Sequence, residues 1–295
     1  MTTTDDSAAA PQREAGAFRQ HLRQLAKDQL GMFGAALVLL MVFSAIFAYW
    51  IVPYDPFAIY AGPRLAAPSW DHWLGTDHLG RDIFSRVIAG GQVALQVAIA
   101  TLAAALSLGL ILGLIAGYGP EWLDNALLLV FDAVRSFPVI IFALAVVTLI
   151  GPSLYTVILV VAITSIPIYA RIVRTQAQSL KHNEFILAER AMGAGPVRIL
   201  TVHVLPNVIG PLLILASMDV PLVIAVEAGL SFLGMGVRPP TPSWGTILND
   251  GYNYIRNSPW PVIAGGLPIV LVTLGFTFLG EALRDIFDPK LRRDP

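Results

Sequence analysis

Two acid–histidine pairs, Asp71-His72 and Asp77-His78, stand six residues apart and offer the donor types of a divalent metal site. They fall in a loop-like stretch that does not fix a coordination geometry, so the plainer reading is a polar interface. More telling are the ionisable residues inside apolar stretches: Asp132, Arg135, Asp219 and Glu227. Each costs roughly 2.5–3.5 kcal/mol at the centre of a membrane helix, so such groups face a cavity or a partner. Asp132 and Arg135 are three apart and can share a helix face and partly neutralise one another. Asp219 and Glu227 have no base near them in sequence. They read either as a polar wall or gate latch, or as buried hydrogen-bonded structural acids; Asp219 leans to the second and Glu227 to the first. Covalent chemistry has little support. The sequence has no cysteine, no G-x-S-x-G or H-E-x-x-H string, and no G-x-x-x-x-G-K-[ST] loop to cradle ATP phosphates.

The elements that position these residues belong in lipid. Of 295 residues, 56 % are hydrophobic and only 13 % charged, too little polar surface to cover a chain in water. The net charge of −1 points to no nucleic-acid partner. Residues 1–29 are polar and do not read as a cleaved signal peptide. Leu30–Val52 is uncharged and, at 1.5 Å per residue, long enough to cross a ~30 Å core. A Pro-rich connection, 53–92, separates it from a second uncharged span, Val93–Tyr118. There Gly109, Gly113 and Gly117 share one helix face and invite close approach of another helix. Trp122–Ile150 is a third span, kinked at Pro138. Gly151-Pro152 turns the chain into a fourth, Ser153–Ala170. A fifth, Asn207–Gly236, a second long connection, 237–260, and a sixth span, Pro261–Leu283, complete an all-α membrane protein of about six helices.

Lysine and arginine set the expected orientation. Thirteen lie in the N-terminal tail, the segment after span four and the C-terminal tail (284–295); five lie in the two connections. Both termini are therefore expected in the cytoplasm.

Between spans four and five lies KHNEFILAERAMGAGPVRILTVHVLPN, residues 181–207. Asn183 is a suitable N-cap for a short helix from Glu184 to about Met192, with Phe185, Ala188 and Met192 on one face. Gly193-Ala-Gly195-Pro196 stops it, and a second helix restarts at Pro196. This is an amphipathic helix at a membrane mouth, read equally as a docking element or as a helix lying on headgroups.

The same segment resembles the cytoplasmic motif of the inner-membrane permease subunits of bacterial ABC importers: Glu-Ala-Ala, three residues, Gly, nine residues, Ile-x-Leu-Pro. Gly193, Ala188 and Leu205-Pro206 match it. Leu187, Glu189 and His203 depart from it, standing in the places of Glu, Ala and Ile. Two longer strings, GTDHLGRDIFSRVIAGG from Gly75 and SFLGMGVRPPTPSWGTIL from Ser231, are similar to the C-type subunit of dipeptide and oligopeptide permeases. The resemblance runs from Leu30 to Pro289.

It implies a type I importer (MetI-like) core over residues 93–283, with the first span wrapped outside it. It implies coupling to ATPases through Glu184, Phe185, Leu187, Ala188, Glu189, Arg190, Gly193, Leu205 and Pro206. Asp132 and Glu227 fall where the family also carries acids; with Asp219 and Trp244 they are the pathway or gate candidates. The implied partners are a second, B-type permease, two cytoplasmic ATPases that bind ATP and magnesium, an external substrate-binding protein, and membrane lipid. No cofactor is expected on this chain. Peptides are the default cargo, although the family also carries nickel, glutathione and sugars. A self-sufficient secondary transporter or channel subunit is the alternative, but the internal repeat that class predicts is not evident. A membrane hydrolase is weaker still.

Overall fold

A computed structural model describes residues 23–287; most of the N-terminal tail and the end of the C-terminal tail, with Arg13, Arg19, Lys290, Arg292 and Arg293, lie outside the described residues. The described chain is helical, and its one β-bridge joins Thr76 to Asp82. Helix α1 spans Gln29–Ile46, started by the Asp28 carboxylate, which accepts from the Leu30 N–H. A short α2, Ala48–Ile51, continues it. Helix α3 is Ile83–Tyr118, α4 Glu121–Arg135, α5 Val139–Ile150, and α6 Leu154–Lys181. The short helices α7, Glu184–Ala191, and α8, Pro196–Arg198, follow. A π-helical turn, Ile199–Val204, leads into α9, Leu205–Phe232. Helices α10, Trp244–Asn253, and α11, Trp260–Phe287, complete the chain.

Five helices are long and apolar enough to cross a membrane, and a sixth crossing exists if α4 and α5 count as one broken span. The break is sharper than the expected kink. Pro138, which cannot continue the ladder, sits at the corner of an 86° bend between the two.

Several boundaries differ from the sequence-based expectation for physical reasons. Helix α3 begins at Ile83, ten residues before Val93, because the Asp82 carboxylate caps it, accepting from the Ser85 N–H at 2.8 Å. Helix α6 runs through Pro167 to Lys181, eleven residues past Ala170, so Arg171 and Arg174 are helical. The fifth span starts at Pro196 and ends at Phe232. Within the second connection, α10 forms on a capping box: Ser243 Oγ accepts from the Thr246 N–H, and Thr246 Oγ1 accepts from the Ser243 N–H at 2.9 Å.

Backbone proximity organises the bundle. A Cβ added to Gly109 would lie 2.7 Å from Tyr169 Cβ; one on Gly113, 2.5 Å from the Ala170 carbonyl; one on Gly117, 2.8 Å from Ala177 Cβ. Every fourth residue of α3 thus lets α6 approach to backbone contact, which is how helices gain dispersion energy where lipid offers no hydrophobic drive. Helix α1 meets α11 in the same way through Gly31 and Gly34.

Candidate functional site

The site is built where α6 and α9 end on one side of the bundle. Helix α7 lies between them and buries one residue, Ile186. The face shared by Phe185, Ala188 and Met192 points outward, Met192 being 74 % exposed, and Leu187 is exposed on another face. Asn183 occupies the N-cap with extended backbone, but its side chain makes no capping bond. Gly193 closes the helix at φ 90°, a left-handed conformation that a side chain makes costly. The chain then enters α8 and the π-turn. Pro206 has no N–H to return to the preceding turn, and the ladder widens just before it.

Two clasps hold α7. On one side the Tyr118 ring, at the end of α3, takes Arg190 at 5.1 Å and Lys181 at 5.5 Å, and Arg190 Nε donates to the Tyr118 hydroxyl at 3.2 Å. On the other, Glu189 lies 3.5 Å from His203 of the π-turn, whose ring meets Phe185 edge-on at 6.2 Å. Two of the three departures from the family motif, Glu189 and His203, thus face each other. Tyr118 was missed in the sequence; its one signal was an aromatic ring closing an uncharged run before Gly119-Pro120. Leu205 is half-buried and Pro206 exposed in the first turn of α9.

The charges of the third span are paired across helices rather than along one. Asp132 pairs with Arg171, not Arg135, and Asp124 takes a two-pronged contact from Arg174, with the Nη2–Oδ2 arm at 2.6 Å. Both pairs depend on α6 continuing past its expected end. Asp219 accepts from the Tyr169 hydroxyl at 2.6 Å. Glu227 and Trp244, expected among the pathway or gate residues, are both buried inside the subunit. Glu227 is fully enclosed and accepts from Ser231 Oγ at 2.7 Å; that oxygen in turn accepts from the Val237 N–H at 3.1 Å. The carboxyl therefore staples the turn leaving α9. Trp244 packs its ring over Gly90 and Gly91 and donates Nε1–H to the Val87 carbonyl at 2.9 Å, fixing α10 to α3.

On the opposite side, Asp77, His78 and Asp250 come together, while Asp71 is exposed and His72 bonds Asp82 at 2.9 Å. Arg81 bridges the two carboxylates of that cluster, Nε to Asp77 at 2.5 Å and Nη2 to Asp250 at 3.0 Å. The segment 53–82 is thereby clamped to α10 by an ion-pair network.

Glycine-seamed membrane helices with a short apolar helix exposed at one mouth are the frame of a membrane transport component. The chain belongs to the family of binding-protein-dependent transport system inner membrane components, whose sequence model matches residues 109–293; a second model, the N-terminal transmembrane domain of oligopeptide transport permease C, matches residues 16–68. It is 39 % identical over 97 % of its length to the dipeptide transport system permease protein DppC of Alkalihalophilus pseudofirmus, covering 92 % of that protein. It is 39 % identical over 92 % of its length to the glutathione transport system permease protein GsiD of Escherichia coli O157:H7, covering 89 % of it. The fold matches an inward-facing MetNI methionine ABC transporter chain with a TM-score of 0.54 at 21 % identity, over 69 % of this chain and 97 % of that one. The protein is a multi-pass permease subunit of an ABC importer, a transport component and not an enzyme.

Proposed function

We propose that this subunit forms, with a second permease of its class, the pathway for small peptides. Two cytoplasmic ATPases that hold the ATP and magnesium would drive it, and an external substrate-binding protein would feed it. The observation that carries the reading is the outward apolar face of α7, hinged on Tyr118 and His203 at the mouth of the bundle. A docked ATPase that moves α7 would move α3 and α9 with it. The peptide cargo is supported by 39 % identity to a dipeptide permease and to a glutathione permease. No residue of this chain is assigned to covalent chemistry. The α7 side, and with it both termini, faces the cytoplasm in this reading.

The test is uptake of a labelled dipeptide and ATP hydrolysis by the whole complex in proteoliposomes. Gly193→Val imposes a left-handed backbone on a branched residue, at roughly 1–2 kcal/mol, which corresponds to about five- to thirtyfold in an equilibrium. It should leave insertion intact and lower uptake by that order relative to hydrolysis. Phe185→Asp should do the same by spoiling the docking face. If both variants assemble and transport at the wild-type rate, α7 is only a helix on the membrane surface.

A further inference from the structure

On the side of segment 53–82, external in the proposed reading, the connections enclose a polar recess of about 200 Å³. The chain entering α3, the turn leaving α9 and one face of α10 wall it, and they bring Arg81, Arg86 and Arg238 together. Arg81 and Arg86 are almost enclosed, at 6 % and 3 % exposure. A buried guanidinium needs its charge answered and its donors occupied. Here neither is complete. Arg81 commits Nε to Asp77 and Nη2 to Asp250. Arg86 gives Nη1 to the Pro56 carbonyl at 3.2 Å, and its Nε stands 3.7 Å from the same Asp77 oxygen that Arg81 already holds. Among the described residues Arg81 Nη1 and Arg86 Nη2 hold no hydrogen bond, and neither atom is sealed off by protein. Arg238 has no carboxylate partner among them; its Nη2 would lie 3.5 Å from a Cβ on Gly151, at the C-terminal end of α5. Three guanidinium groups thus share two carboxylates, which leaves one positive charge unanswered.

The neutral groups of the recess cannot answer it. Asn249 donates to the Phe232 carbonyl at 2.7 Å, Thr246 to the Ser243 carbonyl at 2.9 Å, and Ser231 to Glu227 at 2.7 Å. What completes the arrangement is an anionic acceptor, and a carboxylate can take two parallel bonds from one guanidinium. Size and place select its source. Sites that enclose a small molecule run from roughly 300 to 1,000 Å³, so a whole peptide is too large for this one, whereas a single acidic side chain fits. The recess opens among exposed connection residues, Arg238 and Pro239, beside Tyr254, which stacks on His78 at 4.9 Å. Arginine and tyrosine are residues that protein–protein contacts favour. We propose that the Arg81–Arg86–Arg238 recess receives an acidic side chain of the external substrate-binding protein. The inference rests on the proposed function for the existence of that partner, and adds the place and the charge by which this subunit holds it.

The experiment uses the whole importer complex in nanodiscs with its own substrate-binding protein. Arg238→Lys keeps a cation at the recess and supplies an amine that a water-soluble carbodiimide joins, without a spacer, to a carboxylate touching it. Peptide mass spectrometry should place the new amide between position 238 and an aspartate or glutamate of the binding protein. Arg238→Glu should weaken binding of that protein several-fold and flatten the dependence of binding on salt. Adding a lysine in place of the identified acid should restore binding to Arg238→Glu. An amide formed only within this subunit, to the second permease or to the cargo overturns the proposal, as does wild-type affinity in Arg238→Glu. In those cases the binding protein still associates, so the proposed function stands and only the recess assignment falls. If the binding protein does not associate with the wild-type complex at all, both fall.

Discussion

Tyr118 joins the end of a membrane helix to the helix on which a motor would act. Its ring faces two cations and its hydroxyl accepts from Arg190, contacts together worth about 1–2 kcal/mol. Tyr118→Leu removes all of them and should reduce peptide uptake several-fold at unchanged ATP hydrolysis. Tyr118→Phe keeps the ring and should lie between the two. The readout is the ratio of uptake to hydrolysis in proteoliposomes, because a merely structural tyrosine would lower both together. At this scale the sequence was least legible. Ile186, Tyr118 and the Glu189–His203 contact depend on chain returns that periodicity cannot see. Glu227 was read toward a gate because an unpaired membrane acid usually faces a cavity, but here a serine and a loop turn enclose it inside the subunit.

Among the elements, the α3–α6 seam is the most exacting. Leucine at Gly113 would drive Cβ into the Ala170 carbonyl and the Val173 side chain, neither of which can withdraw without shifting α6. Gly113→Leu should cost roughly 1–3 kcal/mol, read as a lower melting temperature of the detergent-solubilised complex and a smaller co-purified yield. The glycine spacing was visible in the sequence because backbone contact at a four-residue period needs no knowledge of the partner helix. Helix ends were harder to see. An uncharged window stops at the first arginine, yet α6 runs on past Arg171 and Arg174 because Asp132 and Asp124 on α4 neutralise them. Helix α10 was hidden in a stretch taken as a connection, although Ser243 and Thr246 are spaced as a capping box.

For the whole molecule, membrane class was legible from composition and five of the six expected spans from the apolar windows, whereas the sharp break at Pro138 in the third was not. The expected sidedness is testable because the natural chain has no cysteine. Single cysteines at the exposed positions Ser69 and Asn253 should react with an impermeant thiol reagent in spheroplasts with intact inner membranes. One at Ser179, exposed at the α7 end of α6, should react only after permeabilisation. The reverse pattern would invert the orientation and place α7 out of reach of any cytoplasmic ATPase.

The corner at Pro138 also gives this protein a ruler. Its limbs are about 22 Å and 18 Å long at 1.5 Å per residue, and at 86° their ends stand only about 30 Å apart, the thickness of an ordinary hydrocarbon core. A straight helix of the same residues would have some 10 Å to spare and could absorb a thicker membrane by changing its tilt. As one crossing, the bent pair has little slack on the long side: it can reach less by tilting, but to reach further it must open its corner. A bilayer thicker than that span therefore loads the corner. Reconstituted into bilayers of increasing acyl length, the importer should slow once the bilayer exceeds the thickness that the corner spans at rest.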